Sequence, residues 1–134
     1  MFRRISLLVL LSLLCSNVSA QLPKEEGDRQ RYEVEINIRN AYVSGICGML
    51  YEDGLVKASI INEFGVSLMD FSYNPQKDKV RLHSVMSQLD KWYIKRLLRK
   101  DLREVMHILD SGGTYYEDRK YKINYTFKRS ANNE

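Results

Sequence analysis

The chain from Tyr32 onward alternates apolar and polar residues in a way that predicts β-strands. Tyr32, Val34 and Ile36 are each followed by a polar or charged residue, which is the period of a strand with one buried face. Asp53-Gly54 and Gly65, which are typical of tight hairpins, separate the next segments. The pattern predicts an antiparallel sheet of about six strands. The predicted strands span 32–39, 41–51, 55–64, 66–73, 79–83 and 120–128.

The apolar period becomes helical between the fifth and the last predicted strand. Ser87 and Asp90 match a capping box, which is a start signal for a helix. Two apolar sets follow, and at about 100° per residue they lie on nearly opposite faces of a helix. One straight helix could not bury both sets against one sheet, so we predict two short helices with a bend near 99–101. The sets are Leu89, Trp92, Tyr93 and Leu97, then Leu98, Leu102, Val105 and Leu109.

These elements predict an α+β fold in which two short helices pack on the concave face of a curved, half-barrel-like antiparallel sheet. We assign 32–129 to a single domain and 130–134 to a polar tail. Residues 21–31 are polar and charged without an apolar period, so we expect a flexible leader there.

Residues 1–20 match a secretory signal peptide. Arg3 and Arg4 precede an apolar run over 5–14, and small residues end at Ala20. The run is too short to span a bilayer as a stable helix. We therefore predict export to the periplasm with cleavage after Ala20. Lipid attachment at Cys15 is the alternative, and the large Leu14 before that cysteine disfavours it.

Charge and length narrow the class of protein. The 21 Lys and Arg residues fall to 19 when Arg3 and Arg4 are removed, while all 17 Asp and Glu residues remain, so the exported part carries a net charge of +2. Such a small excess gives no reason to expect a nucleic-acid partner, which would require many phosphate contacts. The 114 residues that remain after residue 20 fit one small domain with a modest core.

The candidate catalytic side chains are Cys47, His83 and His107. Cys47 is the only thiol after residue 20, so no intramolecular disulfide can form, and it lies in an apolar strand without a neighbouring base. Neither histidine has companions at metal-ligand spacing. We therefore predict a protein that is not an enzyme, with no catalytic residue, no metal site and no cofactor.

The predicted helices carry a basic stretch that could contact an anionic membrane surface. A solvated face that pairs with nearby acids is the more common explanation. Trp92 beside Lys91 is either an interfacial anchor or a core side chain under the sheet, and the core position is the favoured interpretation. The basic residues are Lys91, Lys95, Arg96, Arg99, Lys100 and Arg103.

The strongest functional clue is that the predicted strands over 41–73 are apolar on both faces. A small antiparallel sheet normally has one solvated face, so these strands need cover on both sides. Helices cover one side, and the other requires a ligand, a partner, a membrane or more of the chain.

Several short motifs in the central block resemble a family of small, exported, uncharacterised proteins of Gram-negative bacteria, which implies a compartment but no activity. They are Ser44-Gly45-Ile46-Cys47, Asn62-Glu63-Phe64-Gly65, Asp70-Phe71, Leu89-Asp90-Lys91-Trp92-Tyr93-Ile94 and Lys100-Asp101-Leu102. More distantly, the order of elements is similar to that of Lol-type periplasmic lipoprotein carriers and receptors. Those proteins shelter acyl chains between a curved sheet and helices, and no binding motif of theirs aligns with this chain.

Two functions follow as hypotheses. The first is a non-enzymatic periplasmic protein that holds a lipid or a lipoprotein acyl chain between sheet and helices. The second is an envelope module that binds another protein through an exposed sheet face or edge, without a ligand cavity. The residues predicted to line the ligand site are Ile46, Met49, Ile60, Leu68, Phe71, Trp92 and Leu98.

Overall fold

The structure, a computed structural model, describes residues 22–39 and 41–130. The predicted signal peptide with Cys15, and residues 131–134 of the predicted tail, lie outside the described residues. The described chain forms seven strands, one α-helix and a short 3₁₀ turn, Ser87–Leu89. The strands are β1 Arg29–Ile38, β2 Ala41–Glu52, β3 Leu55–Ile61, β4 Ser67–Asn74, β5 Lys79–Val85, β6 Tyr115–Asp118 and β7 Ile123–Arg129, and the helix α1 is Trp92–Asp110.

All seven strands belong to one antiparallel sheet with the order β5-β4-β3-β2-β1-β7-β6. The first five strands form a meander in which each strand pairs with the next. Helix α1 then crosses the sheet, and β7 pairs with the free side of β1. The predicted α+β class and the curved, half-barrel-like antiparallel sheet are confirmed.

The strand register places apolar side chains on one face of the sheet. Ile36 stands opposite Val43 on one side and Tyr125 on the other, and all three are fully buried. Helix α1 covers this inner face with five buried apolar side chains, and burial of such side chains is the main favourable term in folding. They are Leu98, Leu102, Val105, Met106 and Leu109.

One helix replaces the two that the sequence predicts, so the bend near 99–101 is wrong. The first apolar set is not buried by a helix: Leu89 fills the core from the 3₁₀ turn, while Trp92 and Tyr93 are 72% and 52% exposed. A straight helix from Trp92 therefore buries only one face. The core position favoured for Trp92 is also wrong, and Ser87 makes no capping hydrogen bond to the helix.

The strand boundaries differ from the prediction at several places. β3 ends at Ile61 instead of 64, β5 extends to Val85 instead of 83, and β7 begins at Ile123 instead of 120. β6 adds a seventh strand, and its four residues are too few to show a period. β1 begins at Arg29, inside the predicted leader. Leu22 is also buried, and the backbone of Tyr51 exchanges hydrogen bonds with Gly27 and Asp28, so the described part of this segment is attached to the sheet.

Two carboxyl groups lie buried where helix α1 meets β6 and β7. Asp101 is fully buried, and its Oδ2 accepts a hydrogen bond of 2.8 Å from the hydroxyl of Tyr125. Desolvation, together with the neighbouring carboxyl of Asp118, raises the pKa of Asp101 to about 7. Asp101 therefore stays protonated in the folded protein at mildly acidic pH.

Substitution of Gly45 by alanine is predicted to destabilise the fold. A Cβ at Gly45 would overlap the backbone carbonyl oxygen of Ile61, whereas a Cβ at Gly48 in the same strand would meet nothing within 4 Å. We expect Gly45→Ala to lower the free energy of unfolding by about 1–3 kcal/mol. Gly48→Ala is the matched control and should be neutral or slightly stabilising. Urea unfolding measures both, and equal values for the two variants would contradict the close approach.

Stability is predicted to fall as pH rises from about 4 to about 7. In that window an unfolded chain has released the Asp101 proton, whose ordinary pKa is 3.8, while the folded chain retains it. The free energy of unfolding then decreases by up to ~1.4 kcal/mol per pH unit. Asp101→Asn should flatten this slope, and Asp110→Asn, at the exposed end of the same helix, should leave it unchanged. Urea unfolding across pH 4 to 8 tests this, and a flat wild-type curve would refute it.

Candidate functional site

An open groove lies on the face of the sheet opposite the helix, and we call it the outer groove. It is formed by the start of β1 and by β2 to β5, and its volume is about 1680 Å³. Ligand pockets commonly have volumes of ≈ 300–1,000 Å³, so the outer groove is large enough for an extended ligand.

The floor of the outer groove is apolar. Ile46 and Ile61 stand opposite each other on β2 and β3, and Leu50 and Leu55 continue the apolar surface along the same two strands. These four side chains are exposed or partly exposed, because the helix packs on the other face. Gly48 lies between Ile46 and Leu50 and adds no side chain, which keeps the floor open.

The walls of the outer groove are cationic. Arg29 and Arg31 lie on one side, where the alternation of β1 turns them away from the core, and Lys79 and Arg81 flank the buried Val80 on the other side. Seven Lys and Arg residues border the groove, against the two acids Asp28 and Asp70, so an anionic group would relieve their mutual repulsion. The seven are Arg29, Arg31, Lys57, Lys77, Lys79, Arg81 and Arg129.

Asp70 is engaged by hydroxyl groups of its own sheet. Its Oδ1 accepts a hydrogen bond from Ser59 at 2.5 Å, and its Oδ2 accepts from Ser84 at 2.6 Å and from Ser67 at 3.0 Å. Partial burial alone would raise the pKa of Asp70, but these three hydrogen bonds outweigh it and lower the pKa. The carboxylate thus has three internal donors, and the Lys and Arg side chains dominate the surface offered to a ligand.

A serine and a histidine meet on the same face. The Ser72 hydroxyl and the His83 Nε2 atom are 2.9 Å apart across β4 and β5. Ser72 is only 4% exposed, so its hydroxyl offers little access to a substrate. The pair is a cross-strand hydrogen bond within the sheet.

Cys47, His83 and His107 occupy three separate environments. Cys47 is buried in the core, where desolvation raises the pKa of its thiol to about 12, far from that of a reactive thiolate. His83 lines the outer groove, and the Nε2 atom of His107 lies 2.5 Å from Asp78 at the end of the β4–β5 turn. The three side chains do not form the cleft that catalysis by them would require.

The structure divides the seven predicted lining residues among several places. Met49, Ile60, Phe71 and Leu98 lie together in the core between sheet and helix, where each is at most 2% exposed. Ile46 lies on the floor of the outer groove, which Met49 and Phe71 also border.

The other two predicted lining residues lie outside both of these places. Leu68 is partly buried at the irregularity between β3 and β4, next to Met86. Trp92 is exposed at the start of helix α1.

A smaller cleft of about 320 Å³ lies at the C-terminal end of helix α1. Met106 borders it on the helix, Tyr51 and Tyr73 on the sheet, and Leu22 and Pro23 in the segment before β1. None of the seven predicted lining residues borders this cleft. Four of them belong instead to the cluster of buried apolar side chains between sheet and helix.

Within 22–39 and 41–130, no helix is long and apolar enough to cross a membrane. The same residues contain no group of three or more His, Cys, Asp or Glu side chains placed to hold a metal ion.

Comparison of the chain with protein-family models, with curated proteins and with solved structures finds no match. The family resemblances that the sequence motifs indicate therefore stay predictions.

Sequence reasoning overlooked the cationic walls for a specific reason. Arg29 and Arg31 lie within the predicted leader, although extending the alternation of β1 backward from Tyr32 would have placed both on the outer face. Lys79 and Arg81 alternate with Val80 in the predicted strand 79–83, which indicates an outward position for both, but only the register of β5 with β4 brings them beside the apolar floor.

Asp70→Asn is predicted to lower stability at neutral pH, because it weakens three hydrogen bonds to a charged acceptor. We expect a loss of about 1–3 kcal/mol in the free energy of unfolding. The pKa of Asp70 is lowered on folding, so this advantage of the wild type is present above the ordinary value of 3.8 and disappears as pH falls through the folded pKa. Urea unfolding at pH 7 and at pH 2 to 4 measures it. Asp53→Asn, at an exposed hairpin turn, is the control, and an equal loss there would refute the interpretation.

Proposed function

We propose that this protein is a non-enzymatic binding protein that holds an anionic amphiphile, such as a phospholipid or another acylated anion, in the outer groove. The observation that supports this is the combination of an apolar floor with cationic walls in one open groove. The apolar chain would lie along Ile46, Leu50, Leu55 and Ile61, and the anionic group would contact the Arg and Lys side chains.

The apolar floor favours an amphiphile over a purely polar anion. Binding of an acyl chain to these four side chains would remove exposed apolar surface from water, at roughly 25 cal/mol per Å². A simple anion would gain only the attraction of solvent-exposed charges, which salt screens. The arrangement therefore suits a ligand with both an acyl chain and a charged group.

The proposal keeps the ligand class expected from the sequence but changes its place. Lol-type carriers shelter acyl chains between sheet and helices, and in this chain four of the predicted lining residues are buried core side chains at that place. The outer face offers open apolar surface instead. Together with the predicted signal peptide, we propose that the protein acts in the periplasm after cleavage following Ala20.

Binding of a soluble short-chain phosphatidylglycerol tests the proposal. We expect saturable binding of this lipid, weaker binding of phosphatidylcholine with the same chains, and little binding of inorganic phosphate, because only the first probe matches both floor and walls. Gly48→Leu should reduce binding by filling the floor at a position where a side chain meets nothing. Arg31→Glu combined with Arg81→Glu should reduce it by roughly tenfold or more.

The control for the charge variant is Lys128→Glu, an exposed residue of β7 outside the groove. Isothermal titration calorimetry gives the affinities, and native mass spectrometry detects a lipid that copurifies. Equal binding by wild type and Gly48→Leu, or equal loss in Lys128→Glu, would refute the proposed site.

An envelope protein-interaction module is the second candidate, and the large, open shape of the outer groove favours it. An extended acidic peptide would also match the cationic walls, and main-chain groups of such a peptide need no acyl-sized cavity. Titration with a short poly-glutamate peptide distinguishes the two functions. Binding of the peptide that survives Gly48→Leu, without binding of phosphatidylglycerol, would favour the interaction module.

A further inference from the structure

The exposed apolar side chains of the described chain are concentrated at one end of the sheet. Eight large apolar side chains are exposed, and all except Tyr115 lie at or next to the connections of this end. One of them, Ile61, also borders the outer groove. We call the other six the aromatic pole: Tyr42, Phe64, Val66, Trp92, Tyr93 and Tyr121.

The strand register shows why these residues share one end. Ile38 at the end of β1 pairs with Ala41 of β2 and with Ile123 of β7, so the β1–β2 and β6–β7 turns are neighbours. The β3–β4 turn is directed toward the same end, because β3 runs antiparallel to β2 and its last residue, Ile61, pairs with Ile46 in the middle of β2.

Helix α1 also begins at this end. The backbone N–H of Met86 donates to the carbonyl of Leu68, which holds the end of β5 beside the start of β4. The helix then runs toward the opposite end, where His107 contacts Asp78 in the β4–β5 turn. Trp92 and Tyr93 are exposed at the start of the helix, and their rings contact each other edge to face at 5.8 Å between centroids.

The two ends of the sheet also differ in charge. In the described connections at the aromatic pole, five Lys or Arg residues stand against two acids, Glu63 and Asp90, and Asp90 already pairs with Lys95 at 3.0 Å. At the opposite end, over 22–28, 53–54, 75–78 and 111–114, two Lys residues stand against five acids. The five basic residues of the pole are Arg39, Lys91, Arg119, Lys120 and Lys122.

The chemistry of the pole matches an anionic lipid surface. Trp and Tyr side chains place an apolar ring and a polar atom at the boundary between headgroups and acyl chains. Phe64, at 81% exposure, and Val66 supply purely apolar contact. The Nζ atom of Lys120 lies 5.4 Å from the centroid of the Tyr121 ring, so an anchoring ring and a cation project together from one turn.

We infer that the aromatic pole docks the protein on an anionic membrane, with the acidic end directed away from it. The inference concerns a surface different from the outer groove and does not depend on what that groove binds. Ile61 borders both, so a docked protein would hold the open end of the groove near the lipid surface.

Trp92 provides a specific measurement, since it is the only tryptophan of the chain. The full chain is mixed with vesicles of phosphatidylethanolamine and phosphatidylglycerol, and separately with vesicles of phosphatidylcholine alone. We expect a blue shift of the Trp92 emission and quenching by brominated acyl chains only with the anionic vesicles, and weakening of both by added salt. Binding through residues 1–20 alone would leave the Trp92 emission unchanged and would refute the inference.

Paired variants test which residues of the aromatic pole bind the membrane. Phe64→Ser combined with Val66→Ser should weaken vesicle binding by roughly tenfold or more, because two exposed apolar side chains are removed. Tyr115→Ser removes the exposed ring outside the pole and is the control. Lys120→Glu with Lys122→Glu should abolish the preference for anionic vesicles, whereas Lys24→Glu, at the opposite end and outside the outer groove, should keep it.

Three results would overturn the inference. The first is equal binding by the Phe64/Val66 variant and the Tyr115 variant. The second is equal Trp92 shifts with anionic and neutral vesicles. The third is a concentration-dependent Trp92 shift without lipid, accompanied by a dimer in sedimentation, which would identify the pole as an interface between two copies. Unchanged phosphatidylglycerol binding in Gly48→Leu, with vesicle docking retained, would refute only the groove site, so the two proposals can be separated.

Discussion

The rest of the structure depends on the burial of one sheet face by one helix. Seven strands place their apolar side chains in register, and a single helix supplies Leu98, Leu102 and Leu109 to cover them. Apolar area removed from water supplies the main favourable term in folding. No disulfide can assist among the described residues, where Cys47 is the one cysteine and is free. The helix can cover only one face, so every apolar residue on the other face becomes available for binding.

Most of the fold can be predicted from local sequence patterns. Strict alternation in β1 and the Asp53-Gly54 turn were sufficient for the meander, because both depend on nearest neighbours along the chain. The helix count could not be predicted in the same way. Leu89 and Trp92 look equivalent on a helical wheel, yet Leu89 is buried in a 3₁₀ turn and Trp92 is 72% exposed. Only the path of the chain from β5 across the inner face decides between these environments.

Less of the candidate site than of the fold could be predicted from the sequence. The sequence shows apolar residues on both faces of the meander. The structure places four of them on the outer face, where they are exposed or partly exposed: Ile46, Leu50, Leu55 and Ile61. Which residues share a surface depends on register and on the β3–β4 irregularity, which no local pattern encodes. Arg31 and Arg81 are fifty positions apart in sequence, and only the five-strand meander brings them to the same groove.

The strand order also constrains when the sheet can be completed. β1 to β5 pair with their neighbours in sequence, so this meander involves short loops and low closure entropy. One edge of β1 stays unpaired until β7, the last strand among the described residues, has formed. Before β7 pairs, β1 is an open edge strand with one apolar face. Such an edge can pair with strands of other chains. A chain that stops short of β7 would lose β7 and the pairing partner of β6, and it would also present β1 as a template for aggregation.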